Sequence, residues 1–129
     1  MLSKNKIKFI NLLKKKKYRN ETGLFIAEGA KLVNEILSSG FQVSLLFAIP
    51  EWMNSSHHKI QANIKEVITI NQEELKRIST QKNPNQVLAV VEQPAYKLTD
   101  DELTNNLSIV LDSINDPGNL GTIIRIGDW

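Results

Sequence analysis

Residues 24–48 read LFIAEGAKLVNEILSSGFQVSLLFA, and this segment decides the fold class. Its first four residues form an apolar run of strand length. The next part, residues 30–39, predicts a helix that ends at Gly40, because four apolar side chains recur on one helical face. These side chains are Leu32, Val33, Ile36 and Leu37. Residues 43–48 form a second apolar run, so the segment predicts a strand, a helix and a strand.

Upstream of this segment, the sequence predicts one helix that leads into a run of lysines. Ser3 is a suitable N-cap, and Ile10 and Leu13 belong to an apolar stripe with helical spacing. We expect the helix to continue into residues 14–17, where cations complement the C-terminal end of the helix dipole. Residues 19–23 are then typical of a turn.

Downstream, strand and helix patterns continue to alternate. Residues 67–70 and 87–91 are apolar runs of strand length. Asn71, with Glu74 three positions later, predicts a capping box at the start of a helix. This alternation indicates an α/β fold, a three-layer α/β/α sandwich with a largely parallel sheet. Residues 51–64 are ambiguous and contain a candidate cap for a short helix at Ser55.

A polar, acidic stretch divides the chain. Residues 93–106 have few apolar anchors, and we interpret them as a linker with one short helical turn. Residues 108–111 predict a new strand, which leads through a loop to a helix from about Gly121. We therefore expect one domain in residues 1–92 and the truncated start of another in residues 107–129. One strand and one helix cannot bury their apolar faces alone, so they are expected to dock on the first domain or on a second copy of the chain.

The composition excludes several classes of protein. The chain has 129 residues and no cysteine, which rules out disulfides and a thiolate nucleophile. His57 and His58 are adjacent, point in different directions and have no evident third ligand, so we predict no metal site. Lysines interrupt the N-terminal apolar residues, and no run approaches the roughly 20 apolar residues of a membrane span. We expect a soluble cytoplasmic protein without membrane contact.

The formal net charge of +2 is unevenly distributed. Residues 1–20 hold eight of the sixteen Lys and Arg residues and none of the fourteen acids, so residues 21–129 carry a net charge of −6. A basic arm on an acidic body indicates a local contact with a polyanion. The candidate RNA-binding residues are Lys14, Lys15, Lys16, Lys17, Tyr18 and Arg19, with Tyr18 placed to stack a base. The alternative is a solvated helix face with a half-buried tyrosine.

Residues 111–122, LDSINDPGNLGT, predict a strand, a tight loop and the start of a helix. Gly118 and Gly121 let the backbone approach a ligand closely, and free N–H groups at a helix N-terminus favour an anion. Arg125 lies about one turn beyond Gly121 on the same helix face, and its guanidinium suits a phosphate. The glycine spacing matches neither the dinucleotide fingerprint nor the P-loop. A structural turn and a ligand-binding loop both remain open on these grounds.

The sequence Asp116-Pro117-Gly118-Asn119-Leu120-Gly121-Thr122-Ile123-Ile124-Arg125 resembles the first signature motif of the SpoU branch of the SPOUT RNA methyltransferases. Residues 17–19 followed by residues 23–29 are similar to the start of that family's substrate-binding domain, and residues 87–91 to its closing strand. One departure is Gln86, at a position where the family usually has glycine.

The resemblance implies transfer of a methyl group from S-adenosylmethionine to a ribose 2′-hydroxyl of ribosomal or transfer RNA. It implies that Arg125 activates this hydroxyl and that Asn119 shapes the catalytic site. It also implies a ribosomal-protein-like RNA-binding domain in residues 1–92, followed by the first strand and helix of a trefoil-knot domain. The parent enzyme is expected to be a homodimer. For the chain itself, self-association through residues 107–129 and docking of these residues on the first domain both stay open.

The motifs that build the family's cofactor pocket are missing from this sequence. We therefore expect the chain itself neither to bind S-adenosylmethionine nor to methylate RNA. A stand-alone RNA-binding module without catalysis is the competing function, and a phosphate-binding metabolic enzyme would need an acid–base group that the sequence does not offer. Glu28 is expected to cap a helix or pair with a neighbour rather than act as an acid catalyst. Trp52 is expected to pack in the core.

Overall fold

The computed structural model describes residues 2–55, 63–104 and 106–129. Two compact units make up the chain, which we call the N-terminal unit (Met1–Pro94) and the C-terminal unit (Ala95–Trp129). The elements of the N-terminal unit are α1 Lys4–Leu13, α2 Lys16–Thr22, β1 Leu24–Glu28, α3 Ala30–Ser38, β2 Val43–Ala48, α4 Pro50–Ser55, β3 Ile64–Thr69, α5 Gln72–Ile78 and β4 Val87–Glu92. Those of the C-terminal unit are α6 Asp100–Thr104 and α7 Pro117–Gly127.

The four strands form a mixed sheet in the order β1-β4-β2-β3. Strands β2 and β3 are parallel, whereas β4 is antiparallel to both of its neighbours, β1 and β2. The prediction of a largely parallel sheet is therefore wrong. The first three strands do run in one direction, as their connecting helices indicated. The last strand inserts between β1 and β2 in the opposite direction, and alternation along the sequence does not determine which strands become neighbours.

Two apolar clusters lie on opposite faces of this sheet. Along β4, Val87, Ala89 and Val91 belong to one cluster, and Leu88 and Val90 belong to the other. The helical side chains that complete the clusters are Val33, Ile36, Leu37 and Trp52 on the first face, and Ile10, Leu13, Leu75 and Ile78 on the second. Helices α3 and α4 thus cover one face and α1 and α5 the other, which confirms the three layers and the burial of Trp52.

The lysine run contains a break between two helices, where a single helix and a turn were predicted. Helix α1 is capped by Ser3 as expected but ends at Leu13, and Lys15 has an extended backbone with φ −92° and ψ 132°. Helix α2 then covers the predicted turn and ends at Gly23, whose φ of 64° is easily reached by glycine. The guanidinium of Arg19 explains the break, because it bonds carbonyl oxygens that a continuous helix would have used.

The capping box at Asn71 and Glu74 is confirmed, with both reciprocal hydrogen bonds present. Strand β2 has the predicted bounds, and β3 begins three residues earlier than predicted. The helix considered from Ser55 onwards falls largely on residues 56–62, outside the described residues.

The C-terminal unit lacks the strand predicted for residues 108–111, as far as its described residues extend. A strand needs a hydrogen-bonded neighbour, and residues 95–104 and 106–129 offer none to this apolar run. Helix α7 begins at Pro117 instead of near Gly121, because Asp116 acts as its N-cap and accepts a bond from the Asn119 N–H at 2.7 Å. Trp129 is fully exposed.

Candidate functional site

The candidate RNA-binding segment spans the break between α1 and α2. Lys15, Lys16 and Lys17 are exposed, whereas the three other predicted residues, Lys14, Tyr18 and Arg19, are partly buried. Lys17 has a loose contact with the Glu21 carboxylate, at 3.9 Å. A surface ion pair of this kind contributes little, so the ammonium group of Lys17 is available to another anion.

Lys14 and Arg19 are engaged within the protein. The Nζ of Lys14 donates to the carbonyl oxygen of Ser79 at 2.9 Å, which joins the end of α1 to the end of α5. The Nη1 of Arg19 donates to the carbonyl oxygens of Leu13 and Lys14, at 3.1 and 2.8 Å. These charge-assisted bonds fix the backbone on which the three exposed lysines are placed.

The exposed lysines are poorly placed for the stability of α2, although they directly follow the C-terminal end of α1, where positive charge is favourable. Lys15 is the N-cap of α2 without a side-chain capping bond, and Lys16 and Lys17 follow in a first turn that has no acid. Cations at a helix N-terminus oppose the dipole, at a typical cost of about 0.3–1 kcal/mol each. The positive charge here is therefore not explained by the stability of α2.

Glu28 has the structural role expected from the sequence. Its carboxylate accepts hydrogen bonds from the Ser79 hydroxyl, from the Thr80 N–H at 2.9 Å and from the Thr80 hydroxyl at 2.5 Å. It joins the end of β1 to the segment that follows α5. Glu28, Thr80, Lys14 and Arg19 are among the residues that line a cleft of about 240 Å³. The sequence alone did not identify Ser79 and Thr80 as partners of Glu28, since they lie about fifty positions away.

The glycine loop of the C-terminal unit forms the N-terminus of α7. Asp116 folds over this end, and a Cβ atom on Gly118 would lie only 3.0 Å from its carboxylate oxygen, so a side chain there would crowd the cap. Gly121 and Arg125 are four positions apart within α7, as residues on one helix face are, and both line the same surface depression. Arg125 is exposed, and Asn119 is held in the first turn by its backbone N–H.

Gln86 has a left-handed backbone with φ 61°. It is exposed and directly precedes β4. Its carbonyl accepts from Ile49 at 3.0 Å. The expectation of a glycine at this position therefore has a physical basis, since glycine alone adopts this conformation without cost.

The remaining site predictions concern metals and membranes. In residues 2–55, 63–104 and 106–129, no three His, Cys, Asp or Glu side chains converge as metal ligands would. His57 and His58 lie outside these ranges. No helix in the same described ranges combines the length and apolar character needed to cross a membrane.

Comparison with known proteins gives consistent relatives. The chain is 30% identical over 123 residues to rRNA methyltransferase 3, mitochondrial, of Xenopus laevis. This match covers 92% of this chain and 29% of the relative. It is 31% identical over 123 residues to the 23S rRNA (guanosine(2553)-2′-O)-methyltransferase RlmP of Bacillus subtilis. That match covers 95% of this chain and 47% of the relative. The chain therefore spans less than half the length of either relative.

Solved structures agree with these relatives. A structure assigned to the TrmH family of RNA methyltransferases, from Porphyromonas gingivalis, has a TM-score of 0.71 and 32% identity, covering 100% of this chain and 49% of that one. An AdoMet-bound rRNA methyltransferase from Sinorhizobium meliloti has a TM-score of 0.61 and 30% identity, covering 74% of this chain and 36% of that one. A family model for the MRM3-like substrate-binding domain matches residues 4–89, most of the N-terminal unit. With its three-layer fold and its exposed lysines, the chain belongs to the MRM3-like substrate-binding domain family.

Proposed function

We propose that this chain is the RNA-recognition part of an rRNA ribose 2′-O-methyltransferase of the SpoU type. The family match over residues 4–89 carries the proposal, because it covers the unit that displays the exposed lysines. The names of the relatives from Xenopus laevis and Bacillus subtilis support rRNA as the substrate class.

In this function, Lys15, Lys16 and Lys17 neutralise RNA phosphates, and Tyr18 beside them stacks an unpaired base. The unfavourable position of these lysines at the start of α2 supports the proposal, since bound phosphate would offset their charge. Lys14 and Arg19 hold the two helices in place through their bonds to backbone carbonyls. Lys14 and Arg19 keep N–H donors beyond those used in these bonds, and these donors can add to the contact.

For the chemical step, we propose Arg125 as the residue that activates the ribose hydroxyl and Asn119 as the residue that positions it. A free guanidinium is a poor base, so Arg125 needs nearby negative charge to assist the proton transfer. We further propose that residues 107–129 begin a trefoil-knot domain and that the whole enzyme is a homodimer. The cytoplasmic location stays a prediction.

S-adenosylmethionine is the proposed methyl donor, supported by the AdoMet-bound relative from Sinorhizobium meliloti. In the described part of the C-terminal unit, every side chain except that of Ile123 is exposed, so these residues do not enclose a cofactor by themselves. The expectation that this chain alone does not bind it therefore stands as a proposal. Calorimetric titration with S-adenosylmethionine tests it, and micromolar binding would contradict it.

RNA binding is tested by fluorescence anisotropy with labelled rRNA fragments. The variant Lys15→Ala/Lys16→Ala/Lys17→Ala should bind more weakly and with a flatter salt dependence, while its melting temperature stays equal or rises. Lys97→Ala, in the C-terminal unit, is the control. Unchanged affinity of the triple variant would remove the lysines from the interface.

The enzymatic part is tested in cells, by mapping ribose methylation across rRNA after disruption of the gene. Loss of one methylated position supports the methyltransferase. Unchanged methylation, with RNA binding intact, would favour the stand-alone RNA-binding module.

A further inference from the structure

The two helical layers of the N-terminal unit differ in charge. From α1 through α2, together with α5, the chain carries ten Lys and Arg residues against three acids. The opposite layer, α3 and α4, carries one cation, Lys31, against Glu35 and Glu51. The sheet therefore separates a strongly basic layer from a slightly acidic one, and the basic layer extends well beyond the lysine run.

Two hydrogen bonds show how this layer is arranged. At one end, the Leu2 N–H donates to the carboxylate of Glu74, in the first turn of α5, at 2.6 Å. At the other end, Lys14 donates to the carbonyl oxygen of Ser79, just after α5. Helices α1 and α5 thus run side by side in the same direction. Arg77, in the last turn of α5, lies at the same end of the layer as the lysine run.

Several cations of this layer already have partners. Lys6 pairs with Glu66 at 2.5 Å, and Lys76 pairs with Glu73 at 2.9 Å. Lys8 and Arg77 differ from these, because both are exposed and neither has a carboxylate within 4.0 Å among the described residues. Arg77 is attracted at longer range to Glu74.

Lys8 also points away from the core. It lies two residues before the fully buried Ile10, which places it about 200° around the helix axis from that side chain. Its ammonium group is therefore on the outer surface of α1. No contact within the described protein accounts for this charge.

We propose that Lys8 and Arg77 are additional phosphate contacts, and that the outer face of α1, α2 and α5 is one continuous docking surface for RNA. This inference rests on the proposed RNA-binding function and extends its footprint from one segment to a whole layer. A polyanionic backbone matches these exposed cations, neither of which is held in a close ion pair among the described residues, and the planar guanidinium of Arg77 suits a phosphate fork. The layer of α3 and α4 faces away from the RNA.

The test uses the 129-residue chain with Lys8→Gln and Arg77→Gln, and with Lys31→Gln as a matched control on the opposite layer. Binding to a labelled rRNA fragment is measured by fluorescence anisotropy at several salt concentrations. Each of the first two variants should weaken binding several-fold and reduce the slope of log K against log salt by about one. Lys31→Gln should leave the affinity and the slope unchanged. Circular dichroism melting verifies that all three variants fold.

The outcomes separate this inference from the proposed function. If the variant that lacks Lys15, Lys16 and Lys17 binds weakly while Lys8→Gln and Arg77→Gln bind normally, the larger surface is wrong and RNA binding stands. If all of these variants bind as the parent chain does, both proposals fail. A loss of RNA affinity with Lys31→Gln as large as that with Arg77→Gln would also overturn the proposed docking surface. Polyglutamate that competes as well as unlabelled RNA would overturn it too, since this result would favour a general polyanion site over RNA.

Discussion

Arg19 donates a hydrogen bond from Nη1 to the carbonyl oxygen of Lys14 at 2.8 Å, across the break between α1 and α2. The same nitrogen reaches Leu13 at 3.1 Å. One guanidinium thus satisfies two carbonyl groups at the end of α1 and fixes the direction in which the next helix leaves. These bonds hold the backbone on either side of residues 15–17, which links the local backbone to the proposed RNA contact.

Replacement of Arg19 should affect stability and RNA binding together. Arg19→Lys keeps the charge but not the planar fork, so we expect a loss of about 1–2 kcal/mol in the free energy of unfolding, measured with urea. RNA affinity should fall with it, because the lysines lose their fixed positions. Lys17→Ala is the control and should change stability by less than about 0.5 kcal/mol. Full retention of both properties by Arg19→Lys would show that only the charge at this position matters.

Glu28→Gln tests the structural role of this carboxylate. The change preserves shape but weakens three hydrogen bonds from Ser79 and Thr80, so the free energy of unfolding should fall by about 1–3 kcal/mol. Glu35→Gln, on the exposed surface of α3, should have little effect. Normal stability of Glu28→Gln in thermal melts would contradict the structural role and reopen a catalytic one.

Gln86→Gly should stabilise the protein. The left-handed backbone of residue 86 costs a non-glycine residue about 1–2 kcal/mol in the folded state. Glycine is also more flexible in the unfolded chain, which lowers the free energy of unfolding by about 0.4–1 kcal/mol and so offsets part of the gain. A rise in the free energy of unfolding of about 0.5–1 kcal/mol is therefore expected. Gly29→Ala, at φ 96°, is the converse control and should destabilise. A lower melting temperature for Gln86→Gly would mean that the glutamine side chain contributes more than its backbone costs.

The sequence was most informative where structure depends on neighbours along the chain. The capping box of Asn71 and Glu74 and the bounds of β2 follow from local patterns, and both are confirmed. The position of β4 between β1 and β2 depends on contacts between distant strands, which periodicity does not encode. The break at Lys15 has the same explanation, because the carbonyl groups of α1 are bonded by a side chain from the following helix.

The candidate site was predictable to a similar degree. The identity of the basic residues and of the glycine loop could be read directly from the sequence, since charge and glycine spacing are local properties. Which lysines are exposed, and that Lys14 and Arg19 hold backbone carbonyls, required the tertiary structure. For residues 108–111, the apolar pattern predicted a strand that is not formed, because an apolar run forms a strand only beside a partner strand.

Glu74 should make the joint between α1 and α5 sensitive to acid. The Leu2 N–H, and then the Asn71 N–H, hold the pKa of its carboxyl below the ordinary value of 4.5. A lowered folded-state pKa contributes stability above pH 4.5, and this contribution is lost as the pH falls through the folded-state value. Glu92 and Glu102 also have lowered pKa values, held by Lys65 and Thr99, so a comparison of variants is needed to isolate Glu74.

The difference in melting temperature between the parent chain and Glu74→Gln should be largest near pH 7 and should shrink progressively below about pH 4.5, because protonated Glu74 resembles glutamine. Glu73→Gln, which removes only a surface ion pair with Lys76, is the matched control and should change the melting temperature little. A difference for Glu74→Gln that stays constant from pH 7 to pH 3 would show that the charge of Glu74 does not stabilise this joint, and that its two hydrogen bonds are equally strong in the neutral form.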